Sequence, residues 1–264
     1  MIKIITTLLL LLAVVSANED FYTPSNSEKM NNSMSISEAV FKDYKSFYSS
    51  HRLLRLGLGF AGGGIIANTQ IDSNIQNWYQ DNVRNSGTNN FSKVAKQFGE
   101  GKYVLPIALL SASINFYKPE SNLGIWGVYM SRAYLVGAPA LLMTQVLTGG
   151  SRPNEKNYGS KWKPFSDNNS VSGHSFMGAV PFLTLAQMYD DNSVVKYLAY
   201  AGSFLAAWSR INDNSHYFSQ AVLGWYLAYE SVDAVFDADR ETQNISVTPV
   251  MGHDNYGIQV QMKW

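Results

Sequence analysis

From residue 35 onward the sequence repeats one pattern, in which apolar segments of helical length alternate with short polar strings. Ser35 and Glu38 have the spacing of a capping box, and apolar residues follow at helical intervals from Ile36, which predicts a first helix over 35–47. The same periodicity predicts helices over 71–83, 103–116, 126–147, 173–189, 194–210 and 216–236. The chain is therefore expected to be mainly α.

Residues 53–67 form an apolar segment that contains the glycine run 62–64. Glycine-rich loops can bind phosphate, but this one lacks the Gly-Lys-Ser/Thr ending whose lysine and hydroxyl hold a nucleotide and its metal. Glycine also allows two helices to approach closely. We predict close helix packing for this segment.

The uncharged segment 133–151 raises the question of a membrane-spanning helix. Arg132 directly precedes it, and Gly137 and Pro139 interrupt it. The mean hydropathy of the chain is -0.12, which is low for a polytopic membrane protein. We therefore expect soluble core helices, with an apolar face that can rest on a bilayer.

The two ends of the chain follow other patterns. Residues 1–17 combine a lysine, an apolar run and a small-residue end, which is typical of a secretory signal peptide. Residues 18–34, rich in Ser and Asn, are predicted to form a flexible leader ahead of a helical domain over 35–240. Residues 241–264 alternate apolar and polar side chains across a Gly/Asp/Asn turn, which predicts a short C-terminal β-hairpin.

Charge and cysteine content limit the partners and the compartment. The 264 residues contain 20 Lys+Arg and 20 Asp+Glu, so the net charge of zero does not attract nucleic acid, and any anion must be recognised locally. The sequence has no cysteine, so an exported fold must rely on its core rather than on disulfides. We expect a periplasmic or secreted protein, and a bacterial periplasm fits best.

Two of the four histidines lie in short polar strings next to predicted helix ends. Ser172-Gly173-His174 opens one helix, where unpaired N–H groups and the positive end of the helix dipole suit a phosphate oxygen. Arg210 ends another helix, and His216 follows after five residues. A guanidinium there can bind phosphate oxygens beside an imidazole that can attack phosphorus.

A third element is Arg152-Pro153, in the loop after the uncharged segment. Taken singly, each residue has an ordinary structural explanation. Arg152 could be a solvated loop residue, and Arg210 a cation at a helix C-terminus. His174 could be a surface histidine, and His216 a buried, hydrogen-bonded one. In this order and spacing they match the pattern of a known family.

Together the strings resemble the type 2 phosphatidic acid phosphatase family, which is related to class A bacterial acid phosphatases and vanadium haloperoxidases. The family pattern is Lys-x6-Arg-Pro, then Pro-Ser-Gly-His, then Ser-Arg-x5-His-x3-Asp. The corresponding strings here are Gln145-x6-Arg152-Pro153, Val171-Ser172-Gly173-His174 and Ser209-Arg210-x5-His216-x3-Gln220. The resemblance covers residues 145–233 and implies a helical bundle of the phosphatidic acid phosphatase/haloperoxidase type.

Two departures from the family pattern affect the chemistry. Gln145 in place of Lys removes a positive charge, which Lys161 or Lys163 in the following loop could replace. Gln220 in place of Asp lies four residues after His216, on the same face of the predicted helix. Its oxygen can still accept a hydrogen bond from the imidazole, but it supplies no negative charge to an imidazolium.

The resemblance implies a metal-independent phosphatase. His216 would attack phosphorus to form a phosphohistidine, and His174 would protonate the leaving oxygen. The phosphate-binding residues would be Arg152, Ser172, Gly173 and Arg210. No cofactor is expected, because the sequence has no metal-ligand pattern, and vanadate would inhibit by mimicking phosphate. His51 and His253 lack such a setting and are interpreted as structural or surface residues.

The substrate class and two other functions stay open from the sequence. The expected substrate is a phosphorylated small molecule or a lipid. Aromatic residues recur at helical spacing, among them Trp126, Tyr129, Trp208 and Trp225. They could line an apolar entrance for a lipid chain, although their spacing favours core packing. The same pocket could hold vanadate in a haloperoxidase, for which the chain is short, or bind phosphate in a non-catalytic relative.

Overall fold

The structure is a computed structural model that describes residues 35–155, 157–251 and 256–262. The signal peptide predicted for 1–17, the leader predicted for 18–34 and His253 lie outside the described residues. Those three interpretations stay predictions.

The described chain is mainly helical, as the sequence pattern predicts. Its α-helices are α1 (Ile36–Phe47), α2 (Ser50–Asn68), α3 (Ile71–Asn82), α4 (Ser86–Ala95), α5 (Gly101–Tyr117), α6 (Asn122–Thr148), α7 (Gly173–Met188), α8 (Ser193–Ser203), α9 (Leu205–Asn212) and α10 (Phe218–Asn244). Short 3-10 turns lie at Lys96–Gly99 and Pro153–Glu155.

Two strands follow α10. Strand β1 (Ile245–Met251) pairs antiparallel with strand β2 (Tyr256–Met262). Ile245 lies opposite Met262, and Met251 lies opposite Tyr256. Helix α10 runs to Asn244, so the predicted boundary at residue 241 falls inside the helix.

Two helices differ from the sequence prediction for local reasons. The apolar periodicity does not predict α4, which begins instead at a polar cap where the Asn85 side chain accepts hydrogen bonds from two backbone N–H groups of the first turn. The helix predicted over 194–210 is divided into α8 and α9. The Ser203 hydroxyl donates to the Tyr200 carbonyl at 2.6 Å at this break, where it competes with the backbone ladder.

Helix α7 lies at the centre of the fold and packs against α6, α8, α9 and α10. Phe176, Ala179 and Val180 in its first half are fully buried. The helix begins with the predicted phosphate-binding string, so the hydrophobic core holds that string in place.

Two prolines inside helices are matched by tyrosine hydroxyls. Pro181 in α7 has no N–H to donate, which leaves the Met177 carbonyl without its helical partner. The Tyr134 hydroxyl donates to that carbonyl at 2.7 Å. Pro139 in α6 leaves a second carbonyl free, and the Tyr44 hydroxyl donates to it at 2.8 Å. These bonds allow both helices to continue through a proline.

The glycines of α2 permit close packing on α10. A Cβ atom at Gly59 would collide with the ring of Tyr226, and one at Gly63 would lie 2.7 Å from the Leu223 side chain. Any larger residue at these positions would push the two helices apart. The predicted helix-packing use of this segment is confirmed.

Helix α6 is long and apolar but carries one buried cation. Among the described residues, one stretch, Asn122–Glu155, is long and apolar enough to cross a membrane, and half of its most apolar window is buried inside the protein. Arg132 within it donates to Asp43 at 2.6 and 2.8 Å and to Asp239 at 2.7 and 2.8 Å. The paired carboxylates satisfy the guanidinium and connect α1, α6 and α10.

Candidate active site

The predicted site residues come from separate loops that the core brings together. The backbone N–H of Ser172 donates to the Gln220 carbonyl at 2.9 Å, which joins the start of α7 to the start of α10. The Gln220 side-chain amide donates to the Ser151 carbonyl at 2.8 Å, which joins α10 to the loop after α6. The charged or titratable residues assembled in this way are Arg152, His174, Arg210 and His216.

His216 lies in the loop before α10. The backbone N–H groups of Ser215 and His216 both donate to the Arg210 carbonyl, at 2.9 and 3.1 Å. The loop therefore closes over the end of α9 and keeps His216 beside Arg210. The prediction that a helix begins at residue 216 is wrong, because α10 begins at Phe218. His216 therefore lies outside the helix that carries Gln220. The two side chains still contact each other.

The hydrogen bonds of His216 determine which ring nitrogen carries its proton. Its Nδ1 lies 3.1 Å from Gln220 Oε1 and 3.2 Å from the Asn169 carbonyl. The orientation of the Gln220 amide is set by two backbone groups, since its Nε2 donates to the Ser151 carbonyl and its Oε1 accepts from the Tyr217 N–H. Both neighbours of Nδ1 are thus acceptors, so the neutral ring is protonated at Nδ1 and Nε2 has a free lone pair.

Burial is the main cause that lowers the pKa of His216, to about 3, and the positive charge of Arg152 is the second. The hydrogen bond to Gln220 acts in the opposite direction, and Arg210 and His174 add smaller repulsions. The imidazole is therefore neutral near pH 7 and keeps its Nε2 lone pair.

Arg210 is buried next to this histidine. Its Nη2 donates to Asp213 Oδ2 at 2.9 Å. Within the described part of the chain, its buried Nε has no hydrogen-bond partner. Burial lowers the pKa of Arg210, while Asp213 opposes the shift, and the guanidinium stays charged. A buried donor of this kind suits the oxygen of an anion.

Arg152 is more accessible and is oriented by an asparagine. Its Nε donates to Asn169 Oδ1 at 2.7 Å, its backbone N–H donates to Glu155 Oε2 at 3.0 Å, and its side chain is 43% exposed. The backbone carbonyl of Asn169 also accepts from His216, so one residue positions both the guanidinium and the imidazole. No pattern in the sequence distinguishes Asn169 from the other polar residues of this loop.

The start of α7 is closed on one side and open on the other. The buried Ser172 hydroxyl accepts from the Ser175 N–H at 3.2 Å, so it caps the helix. A Cβ atom at Gly173 would lie 3.8 Å from Gln145 Nε2, which is ordinary contact distance, so packing alone does not require glycine. Gln145 donates to the Val171 carbonyl at 2.7 Å and holds the string in place. An anion can approach the backbone at Gly173.

His174 has a carboxylate neighbour that the sequence motifs do not include. Its Nε2 lies 3.4 Å from Glu100 Oε1, and the two side chains are 34% and 26% exposed. Burial and then the charge of Arg210 lower the pKa of His174, whereas Glu100 raises it. The balance is a lowered pKa.

The two candidate replacement lysines lie in the loop between α6 and α7. Lys163 Nζ lies 4.2 Å from the centroid of the Tyr158 ring, a cation–π contact, and Lys161 is exposed. The charges that act on His174 come from Arg152, Arg210 and Glu100. Lys163 is therefore engaged by an aromatic ring, and a replacement role for either lysine stays a prediction.

The aromatic residues considered as an entrance are largely used in packing. Trp126 and Tyr129 are buried in the core. Trp225 stacks on Phe204 with ring centroids 4.5 Å apart, and Trp208 lies 5.3 Å from the ring of Phe91. Trp126 and Tyr129 thus pack in the core, whereas Trp208 and Trp225 pack against other aromatic rings.

Across residues 35–155, 157–251 and 256–262, no group of three or more His, Cys, Asp or Glu side chains is placed to hold a metal ion.

Comparison with known proteins gives a family match over part of the chain. A family model described as the PAP2 superfamily matches residues 128–238. The matched region contains all six predicted catalytic and phosphate-binding residues, and it confirms the resemblance drawn from their motifs. No curated protein and no solved structure gives a significant match.

Proposed function

We propose that this chain, a relative of the PAP2 superfamily by its residues 128–238, is a phosphatase that hydrolyses phosphomonoesters without a metal, through a phosphohistidine. The observation that carries the proposal is the proximity of a neutral His216, with its lone pair on Nε2, to the unpartnered Nε of Arg210. The imidazole can act as a nucleophile without first losing a proton, and the guanidinium can receive a phosphate oxygen.

Phosphate binding is assigned to two guanidiniums and the start of α7. Arg152 and Arg210 carry the positive charge, and the first-turn N–H groups beyond Gly173 add donors and the helix dipole. In phosphoryl transfer the charge spreads over the equatorial oxygens, so donors in this arrangement stabilise the transition state.

The chemistry follows in two balanced steps. First, the lone pair of His216 Nε2 forms a bond to phosphorus while the bond to the leaving oxygen breaks, and His174 gives that oxygen a proton. Second, His174 takes a proton from a water whose oxygen attacks phosphorus, and the P–N bond breaks with its electron pair returning to Nε2. In both steps the Nδ1 proton stays directed at the carbonyl oxygens of Gln220 and Asn169.

The proposal slightly favours lipid phosphates over soluble esters. Large apolar side chains are exposed at the end of α6 and in the loop that carries Arg152, including Leu142, Met143, Leu147 and Phe165. The Phe165 N–H donates to the Val146 carbonyl at 2.9 Å, which brings the loop and the helix end together. A surface of this kind can rest on a membrane as a peripheral contact.

Export to the periplasm, or secretion, completes the proposal. It predicts that the mature protein begins near Asn18, as N-terminal sequencing of the protein from the cell envelope or the medium would reveal. A mature protein that still carries residues 1–17 would contradict export by signal-peptide removal.

The test of function measures phosphate release in the presence of a chelator. Substrates are p-nitrophenyl phosphate and vesicles that contain phosphatidic acid, and the variants are His216→Ala and, as a matched histidine control, His51→Ala at an exposed position. We expect activity in the wild type and in the control, and loss in His216→Ala. Rapid acid-free quenching should trap a small amount of an acid-labile, base-stable phosphoenzyme in the active proteins. Activity that survives His216→Ala, or that requires a divalent metal, would contradict the mechanism.

Two other results would assign a different function. Vanadate-dependent oxidation of halide by peroxide would identify a haloperoxidase. Binding of vanadate with no turnover of any phosphomonoester would identify a non-catalytic phosphate-binding relative, in which Gln145 and Gln220 replace the Lys and Asp of the family pattern.

A further inference from the structure

Glu100 lies beside His174 but outside the region that matches the family model. The Glu100 Oε1 to His174 Nε2 distance is 3.4 Å, and the family match covers residues 128–238. The carboxylate belongs to the segment between α4 and α5, which no motif of the site includes. Its role must therefore be derived from its surroundings in this chain.

The position of Glu100 is set by a close backbone contact. A Cβ atom at Gly99 would lie 2.5 Å from the His174 carbonyl oxygen, so only glycine lets this 3-10 turn approach the start of α7 so closely. Next to it, the buried ring of Phe98 packs edge-on against Phe182, with centroids 5.4 Å apart. Glu100 is thus anchored by the two residues before it, although its own side chain is partly exposed.

The charges around His174 differ in sign. Arg210, from α9, and Arg152, from the loop after α6, disfavour its protonated form, as does burial. Glu100 favours it. Lys102 Nζ lies 3.7 Å from the Glu100 carboxylate. Burial raises the pKa of Glu100, but His174, Lys102 and Lys96 together outweigh it and lower that pKa. Asp213 pairs with Arg210 rather than with the histidine. Glu100 is therefore ionised and is the carboxylate that supports a protonated His174.

We propose that Glu100 is a positioning residue that orients His174 and favours its protonated form, and thereby lets the site cleave phosphomonoesters with poor leaving groups. This inference rests on the proposed function. An alkoxide is a strong base and needs a proton as its bond to phosphorus breaks, whereas p-nitrophenolate leaves without one. The contribution of Glu100 should therefore depend on the leaving group.

The test compares Glu100→Gln with the wild-type chain on two substrates. For an alkyl phosphomonoester such as glycerol phosphate, kcat/KM should fall at least about tenfold, because proton transfer by a positioned acid contributes about 100-fold or more to such a step. For p-nitrophenyl phosphate, kcat/KM should change less than about twofold, since it reports the step in which the leaving group departs and this leaving group needs no acid. Thermal unfolding of Glu100→Gln checks that the fold is retained.

Lys102→Met is the matched control, because it removes the lysine that pairs with Glu100 and leaves the carboxylate next to His174. We expect it to behave as the wild type with both substrates. Equal losses of Glu100→Gln on both substrates would indicate a merely structural role and overturn the inference, and so would no loss on either.

An NMR titration of the His174 ring separates this inference from the proposed function. The pKa of His174 should be lower in Glu100→Gln than in the wild type, because the removed carboxylate favours the protonated ring. An unchanged pKa would overturn the inference even if the enzyme is active. A wild-type chain without phosphatase activity would instead contradict the proposed function, and the titration would still test whether Glu100 acts on His174.

Discussion

Protonation of His216 should make the free energy of unfolding depend on pH, and the substitution His216→Gln should remove this dependence. The pKa of His216 is about 3 in the folded protein and 6.5 as the ordinary value of the unfolded chain. Between these two values the unfolded state binds the proton and the folded state does not. Stability from this group is therefore fully present above pH 6.5 and is lost progressively as the pH falls toward 3.

The magnitude follows from the two pKa values. Near pH 4.5 the charged imidazole of the unfolded chain outnumbers the neutral form by about a hundredfold, whereas His216 in the folded protein is still neutral. The free energy of unfolding is therefore about 3 kcal/mol lower at this pH than at neutral pH. The His216 side chain is buried, with 5% of the residue exposed, so solvent does not screen this effect.

The assay is urea unfolding near pH 7.5 and near pH 4.5 for the wild type and His216→Gln. The wild type should lose about 3 kcal/mol more than the variant between the two conditions, because glutamine does not titrate. Other titrating groups, including the buried Asp43 and Asp72, are common to both proteins and cancel in the comparison. His51→Gln, at an exposed site, should follow the wild type. Parallel losses in the wild type and His216→Gln would refute the burial argument.

Three further predictions follow from the same geometry. The value of kcat/KM should be greatest on the acidic side of neutrality. Activity needs a neutral His216, whose pKa is about 3, and a protonated His174, whose pKa is lowered from 6.5. A maximum above pH 8 would contradict this prediction. Gln145→Lys should tighten vanadate binding about tenfold, measured as inhibition, by adding a charge beside Gly173. Gly224→Ala should destabilise the protein by about 1–3 kcal/mol in urea unfolding, because its methyl group would collide with the Ser172 backbone carbonyl at the start of α7. Gly62→Ala, in open space, should not.

Much of the helical framework could be predicted because it depends on local patterns. The Ser35 capping box is present, as its spacing predicts. The Glu38 backbone N–H donates to the Ser35 hydroxyl, and the Ser35 backbone N–H donates to the Glu38 carboxylate. Proline positions are harder to interpret from sequence. Pro139 reads as an interruption of a helix, yet α6 continues through it because the Tyr44 hydroxyl, distant in sequence, supplies the missing donor. Such compensation depends on tertiary contacts that periodicity does not contain.

The site divides in the same way. Its motif residues could be identified because they are ordered by spacing, and the family match over 128–238 includes them. Glu100 and Asn169 could not be identified, because each acts through a contact formed only when separate loops meet. The exact start of α10 was also missed, since the carbonyl of Arg210, rather than a helix cap, takes the backbone N–H of His216.

The neutral Gln220 is consistent with the environment of His216. A carboxylate at this position would lie among buried groups and would have to be desolvated, although it would stabilise a charged imidazole. Gln220 instead satisfies Nδ1 through its oxygen and the Ser151 carbonyl through its amide, so every polar atom of the side chain is used without a buried charge. The positive charge of a phosphorylated ring would then be stabilised by two carbonyl dipoles and by the phosphoryl group itself. Because those dipoles stabilise the cation less than a carboxylate would, the phosphoenzyme should transfer its phosphoryl group to water rapidly, and its steady-state level should be low even when turnover is fast.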